Sequence, residues 1–468
     1  MNCSRGANLL VPLALVWLAI LRGLLYTAAV PPWQAPDEFR HFEYVRLIVD
    51  KGRLVGYGDL SQPLQEEIIA SMVDHDYWRF GYAPLPYDQS DPPHIFEEVM
   101  PPVYAHMLYQ PPLYYALAAL WLLPFSQADV TTQLLIVRSF SVLLGALTIL
   151  VAFLITREVF PDDLFMTIGV PMMVALLPMH TFINSSVNSD NLAELLVSLV
   201  ILAVIRSLRP GFLFHALLLL PLLLLAWFTK RTALIGVPIA LTAIPFCLWT
   251  RRIHIPPKRF LASIGLFATV AGLALLSWGD LRGLLVGPLR KAAGYLILSE
   301  NLGQFAQAFS PQTLPLYRHF LRTLFESFWG RFGWMSIPLP PFWYRVIALI
   351  TVIALGGLIA FWVKVIRKPW LFSRQERSAI ALMMMAAASA LLLVMLGMIR
   401  VRTIVPEALP QGRYLFPVII PLAFLFMLGL REVVPQRLRP ALLLVTLNGF
   451  FFFDLVCLFY YLVPYYYG

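Results

Sequence analysis

Apolar positions along this chain fall in long unbroken blocks separated by short polar connections. Runs at 9–30, 134–156, 164–180, 192–206, 212–228, 231–250, 260–277, 343–365, 378–398, 414–430 and 440–462 are each close to the roughly 20 residues a helix needs to cross the hydrocarbon core. A shorter run at 111–125 opens on Gln110-Pro111-Pro112; its length suits a re-entrant or interfacial helix better than a span. The first run is too long for the apolar region of a signal peptide and is read as a retained span. The pattern therefore predicts an all-α polytopic membrane protein with about eleven transmembrane helices and juxtamembrane helices in its loops.

Basic residues decide between the two topologies. If 111–125 does not cross and the N-terminus is cytoplasmic, sixteen Lys and Arg fall at cytoplasmic loops and five in short outer ones, namely Lys230, Arg231, Arg400, Arg402 and Arg413. If it crosses, every later loop changes side and the balance becomes six inside against fifteen outside. The positive-inside tendency selects the first arrangement. The chain then divides into a first span (1–30), an outer loop with juxtamembrane helices (31–133), spans two to seven (134–277), a second large outer loop (278–342) and spans eight to eleven (343–468). All the polar loops large enough to form a site lie on the outer side.

Composition agrees. Of 468 residues 59% are hydrophobic and 13% charged, with mean hydropathy +0.74, too little charge to clothe a water-soluble surface. The net charge of +9 would suggest nucleic acid in a soluble protein; here it sits in loops between spans and sets orientation, so no nucleic-acid partner is expected. The three cysteines are Cys3, Cys247 and Cys457, two of them inside apolar runs, which gives no disulfide framework.

Candidate chemistry clusters in the outer loops. After the first span comes Pro36-Asp37-Glu38-Phe39-Arg40-His41-Phe42. Phe39, Phe42, Val45 and Ile48 recur at helical spacing and Gly52 ends the segment, predicting an amphipathic helix lying on the outer surface. On pattern alone Asp37 and Glu38 read first as first-turn acids complementing the helix dipole; their placement beside the bilayer favours a functional pair, with His41 one turn from Asp37. A second loop, Asn188-Ser189-Asp190-Asn191, supplies another carboxylate. Asp190 either caps the following helix or faces Asp37 across a cavity, where the two could hold Mg²⁺ or Mn²⁺, although no full ligand set is visible. Cations follow: Lys230-Arg231 in a tight turn, Arg400, and Gln411-Gly412-Arg413-Tyr414. Outer cations oppose the usual charge bias; a membrane-embedded phosphate would account for them, as would headgroup contact or snorkelling. Arg22 and Arg138 are further intramembrane cations. Glu326-Ser327-Phe328-Trp329-Gly330 closes the second loop, where Trp329, like Trp33, fits an aromatic belt or a sugar face.

Together, the acidic pair after span one, the Gln110-Pro111-Pro112-Leu113-Tyr114-Tyr115 helix, the Asn/Asp loop and the late outer Arg resemble the GT-C superfamily. These are membrane glycosyltransferases using polyprenyl- or dolichyl-phosphate sugars, among them protein O-mannosyltransferases and lipid A aminoarabinose transferases. Pro36-Asp37-Glu38 with His41, Ser327-Phe328-Trp329-Gly330 and Gln411-Gly412-Arg413-Tyr414 look closer to a group of uncharacterised bacterial relatives. The resemblance implies a GT-C-like fold in the bacterial plasma membrane, with Asp37 or Glu38 as catalytic base. It implies a polyprenyl-phosphate-linked sugar bound by Lys230, Arg231, Arg413, Tyr414 and Arg400, and an acceptor entering from outside. Asp190 and Asn188 would then orient the donor sugar or a cation, and Gln110, Tyr114, Trp33, Glu326 and Trp329 would touch sugar or acceptor. Residues 181–191 lack an Asp-x-Asp, which weakens the expectation of a metal at Asp37 and Asp190. Competing classes are a transporter or flippase of a lipid-linked anion, expected to show internal symmetry and midplane polar residues, and a polysaccharide polymerase or ligase, leaning on Arg and His rather than on Asp37.

Overall fold

The computed structural model describes residues 7–80, 93–96, 106–208, 217–242, 314–402 and 409–468. The fold is helical apart from a two-residue antiparallel pair, β1 (Arg331–Phe332) with β2 (Ile337–Pro338). In chain order the helices are α1 (Ala7–Ala29), α2 (Glu38–Lys51), α3 (Gln62–Asp74), α4 (Tyr77–Phe80), α5 (Leu113–Leu122), α6 (Val130–Val159), α7 (Leu164–Leu176), α8 (Pro178–Asn184), α9 (Asp190–Ser207), α10 (Leu219–Trp227) and α11 (Gly236–Leu241). Then come α12 (Leu314–Gly330), α13 (Pro341–Arg367), α14 (Arg374–Arg402), α15 (Ile419–Val433), α16 (Arg439–Val456) and α17 (Val463–Tyr467).

Among the described residues six helices are long and apolar enough to cross a bilayer, or seven if the bent pair α7–α8 is one span. This is fewer than the eleven expected. The run 260–277 lies outside the described residues, as do parts of 212–228 and 231–250. The expected span 164–180 breaks at Leu177-Pro178, where the two helices bend by 63°; a proline inside a helix removes a backbone donor and clashes with the preceding turn. The expected span 192–206 starts earlier, at Asp190, and carries Asp190, Glu194 and Arg206. The run at 111–125 is a ten-residue helix with a 3-10 extension; at 1.5 Å per residue α5 measures about 15 Å, half the hydrocarbon thickness.

The helices that face lipid and those that build the site differ in their surfaces. α13 exposes Leu349, Val352, Leu355, Ile359 and Ile366 along its length, while α6 and α9 are buried on almost every side. α13 packs on α15 through Gly357 and Gly429; a Cβ on either would land on the other helix's backbone carbonyls, the close approach small residues permit between spans. One ion pair ties the first span to the last: Arg22 Nε donates to Asp454 Oδ2 at 2.9 Å, and Tyr26 Oη to Asp454 Oδ1 at 2.8 Å.

α2 is not the surface helix expected. Its boundaries follow the sequence, with Gly52 at φ 63° donating its N–H to the Ile48 carbonyl, but Glu38 through Val45 are all buried. The rest of the first loop folds over it: Gln65 on α3 donates to Glu43 at 2.8 Å, His106 bonds the other Glu43 oxygen at 2.7 Å, and Tyr44 stacks on Tyr115 of α5 with centroids 4.1 Å apart. The polar side of the amphipathic pattern is thus satisfied by partners rather than by water.

Candidate functional site

Four separate segments meet at one end of the bundle: the entry to α2, the start of α9, the turn after α10, and the 3-10 segment Gly412–Val418 that leads into α15. Asp37 precedes α2 with φ 65°, a left-handed conformation that Asp tolerates better than most residues. It caps nothing. Instead Oδ1 takes a charge-assisted hydrogen bond from Arg40, one turn on, and Oδ2 accepts from Arg413 Nη2 at 2.9 Å. Asp190 is likewise not a cap; its carboxylate lies 2.8 Å from Lys230 Nζ, and its own N–H donates to Asn188 Oδ1 at 2.9 Å. Arg413 feels the fields of both Asp37 and Asp190, and His41 those of Lys230, Asp37, Arg40 and Arg413. Three cations therefore face two carboxylates, leaving one positive charge in excess.

Burial works to raise the Asp37 carboxyl, but the guanidiniums of Arg40 and Arg413 outweigh it and hold the group well below the usual carboxylate range. His41 is buried, and desolvation together with Lys230 pushes its imidazole well below 6.5, so it is neutral at neutral pH. Its Nδ1 lies 2.7 Å from Tyr115 Oη.

Arg413 is held by a tight packing arrangement. Gly412 N–H donates to Ser327 Oγ at 2.8 Å, and a Cβ at 412 would land on the backbone of Ser327 and Phe328. The Ser-Phe-Trp-Gly and Gln-Gly-Arg-Tyr motifs, far apart in sequence, are the two halves of one contact. Only a residue without a side chain fits there. Beyond its bond to Asp37, Arg413 has Nε and Nη1 buried with no hydrogen-bond partner among the described residues, and buried donors are rarely left so.

Beside Arg413 opens a groove of about 1030 Å³, lined by Arg231, Arg331, Trp334, Gln411, Tyr414 and the apolar face of α14. Its walls are largely hydrocarbon, and two arginines, Arg231 and Arg331, are its only charged lining groups among the described residues, beside the neutral Thr232, Gln411 and Tyr414. A second cavity of about 550 Å³ is almost entirely apolar, with Thr351 and Trp329 in its lining.

A family described as "Predicted membrane protein (DUF2142)" matches residues 20–422. The chain belongs to that family. No curated protein matches its sequence. A solved structure, ArnT from Cupriavidus metallidurans bound to undecaprenyl phosphate, is similar over 92% of this chain with 15% identity and a TM-score of 0.44; this DUF2142 protein spans 62% of that chain's length.

Several expected site residues sit elsewhere in this DUF2142 chain. Glu38 points away from Asp37: Oε1 accepts from Arg138 Nε at 2.9 Å and Val187 N–H at 3.0 Å, Oε2 from Arg138 Nη2 at 2.7 Å, and neither side chain is exposed. Trp33 is wholly buried with Nε1 donating to Ser71 at 2.9 Å, so it offers no face to a sugar. Tyr114 is a core residue, bonded to Ser141 and to the Asn188 N–H; its neighbour Tyr115 is the one that reaches His41. Trp329 stacks among Phe325, Phe328, Phe426 and Phe450, and Glu326 pairs with Arg322 at 2.8 Å. Gln110 lies just ahead of α5 and is partly exposed, and the side chain of Arg400 is outside the described residues. A divalent cation fits poorly: Asp37 and Asp190 are each neutralised by side-chain cations, and no cluster of three metal-ligating residues occurs among the described residues. Arg40 and Arg331 were not singled out in the sequence; Arg40 was legible only as a cation three residues after Asp37, at i,i+3 on a helix.

Proposed function

We propose that this protein is a membrane glycosyltransferase that moves a sugar from a polyprenyl-phosphate donor to a hydroxyl acceptor on the extracytoplasmic side. The observation carrying this reading is Arg413: a buried guanidinium with unpartnered Nε and Nη1 donors beside a carboxylate, on a segment whose Gln411 and Tyr414 line a groove with largely apolar walls that suit an isoprenoid chain. Arg donors match phosphate oxygens in geometry and charge, and the excess positive charge of the cluster suits an anion. The acceptor oxygen attacks the anomeric carbon and the glycosidic C–O bond to phosphate breaks. The acceptor proton passes to Asp37, and the prenyl phosphate leaves with its charge held by Arg413 and Lys230. His41, neutral and tied to Tyr115, positions the acceptor hydroxyl rather than taking its proton. A transporter of the same lipid would use the same cations but has no need of Asp37.

The test is mass spectrometry of lipid-linked sugars in cells lacking the protein. Restoring wild-type protein is expected to clear an accumulated prenyl-phosphate sugar, and Asp37→Asn, expressed and folded normally, to leave it in place. Clearance by Asp37→Asn as fast as by wild type overturns the assignment of the base.

A further inference from the structure

Resting on the glycosyltransferase reading, we infer that Arg413 is shared between the base and the donor, so that Asp37 competes with the donor phosphate for one guanidinium and is uncovered only when the phosphate draws Arg413 away.

The geometry is specific. The two oxygens of Asp37 are bound by different arginines, Oδ1 by Arg40 and Oδ2 by Arg413. Arg40 lies in the first turn of α2, three residues after Asp37, and stays with it. Arg413 comes from a segment 376 residues away in the chain, locked against Ser327, with Nε and Nη1 still unpartnered. Nε and Nη1 lie on opposite edges of the guanidinium and each shares its edge with Nη2, as Arg138 shows by gripping Glu38 through Nε and Nη2; a phosphate held by two bonds at either edge therefore uses the nitrogen that Asp37 Oδ2 already engages. Two anions on one buried cation repel each other strongly at low dielectric. The stronger, doubly charge-assisted partner wins, and Asp37 Oδ2 is left with a free lone pair directed into the site. Arg40 then acts as a positioning residue: it keeps the carboxylate in place, at its left-handed backbone position, after Arg413 has gone. The consequence is an order of events. Proton abstraction is suppressed in the donor-free protein and enabled by the anion that must be present for the reaction to be useful.

The inference predicts that removing the charge of Asp37 improves binding of the donor's phosphate while abolishing transfer. The experiment uses the full chain in lipid nanodiscs with farnesyl phosphate as probe and farnesol as its uncharged control. Asn accepts the left-handed conformation, so Asp37→Asn is expected to fold. It is expected to bind farnesyl phosphate about tenfold tighter than wild type, the scale of a close interfacial charge coupling, with farnesol unchanged. Arg40→Gln is expected to weaken binding, because Asp37 then leans wholly on Arg413, and to have no effect in the Asp37→Asn background; a merely structural Arg40 would act alike in both. Binding by Asp37→Asn that is unchanged or weaker, while Arg413→Gln loses the phosphate preference, overturns the sharing alone. Equal binding by wild type and Arg413→Gln overturns the sharing and the phosphate assignment together.

Discussion

Glu38→Gln is a nearly isosteric change next to Asp37, and the structure gives it a different outcome from Asp37→Asn. In the wild type Arg138 spends its donors on both Glu38 oxygens and on the carbonyls of Thr27, Val30 and Pro31, at 2.7–3.2 Å, entirely out of solvent. Three donors converge on the carboxylate: two from Arg138 and the Val187 N–H. A glutamine presents only one oxygen, so its NH₂ must oppose at least one of them, and the arginine keeps a buried charge without its counterion. Removing one partner of a buried pair costs about 3–5 kcal/mol, and the amide clash places this case within that range rather than below it. The carbonyls of 27–31 fix the exit of α1 and the Val187 amide fixes the 185–189 loop, so the loss is felt by the scaffold on which both Asp37 and Asp190 stand. Thermal unfolding of detergent-solubilised protein, followed by fluorescence-detected size exclusion, is expected to fall by about 5–10 °C. Turnover per folded molecule is expected to survive at low temperature. An unchanged melting temperature with turnover lost per folded molecule refutes this reasoning and returns Glu38 to the chemistry.

Other outcomes follow from the same geometry. Asp37→Asn leaves the buried Arg40 and Arg413 without their shared counterion, so it is expected to fold with a lowered melting temperature and to lower transfer per folded molecule by about 10²–10⁴-fold; a drop of less than tenfold in single-turnover transfer removes it as base. Lys230→Gln leaves Asp190 buried without its cation, and is expected both to weaken prenyl-phosphate binding and to destabilise; Asp190→Asn in the same chain is expected to restore stability but not binding. His41 has a folded pKa depressed by burial and then by Lys230, so the unfolded chain takes up its proton first as pH falls. Its contribution to stability is therefore full above about 6.5 and declines below it, with a slope of at most about 1.4 kcal/mol per pH unit. His41→Gln is expected to flatten the pH dependence of the melting temperature below 6.5, and an unaltered slope contradicts the buried neutral imidazole. Asp454→Asn, which strands Arg22 inside the bundle, is expected to destabilise strongly without changing the affinity for farnesyl phosphate.

The sequence was most readable where one local rule dominated. The apolar blocks, the end of α2 at Gly52 and the shortness of the 111–125 helix all follow from periodicity, a left-handed glycine and length. It was least readable where a residue's role depends on a partner distant in the chain. Asp37 and Glu38 are adjacent and chemically alike, yet one meets Arg413, 376 residues away, and the other meets Arg138, 100 residues away. Nothing local distinguishes them except the backbone: the left-handed turn at Asp37 swings its side chain away from the direction taken by Glu38 at the start of the helix. The placement of Trp33 was unreadable for a related reason. Trp33 has the composition of an interfacial belt residue but is enclosed by Ser71 and Phe42, because the loop that covers it has no periodicity long enough to announce that it folds back.

The same logic explains why two of the short motifs matter more together than apart, and leads to a last expectation. Ser327 and Gly412 meet through one hydrogen bond and one absence of a side chain, and that contact sets the height at which Arg413 leaves the backbone. Ser327→Ala removes the hydroxyl but keeps the space, so it leaves the Gly412 N–H unsatisfied at a cost of about 1–3 kcal/mol. Gly412→Ala keeps the hydroxyl but drives a methyl into backbone, which cannot yield as a side-chain tip would. If the contact serves chiefly to aim Arg413, Gly412→Ala displaces the guanidinium and is expected to lose more than tenfold in farnesyl phosphate affinity, well beyond Ser327→Ala, even where the two melt at similar temperatures. Equal losses of affinity and of stability in both variants would mean that the contact only holds α12 to α15, and that Arg413 finds its place without it.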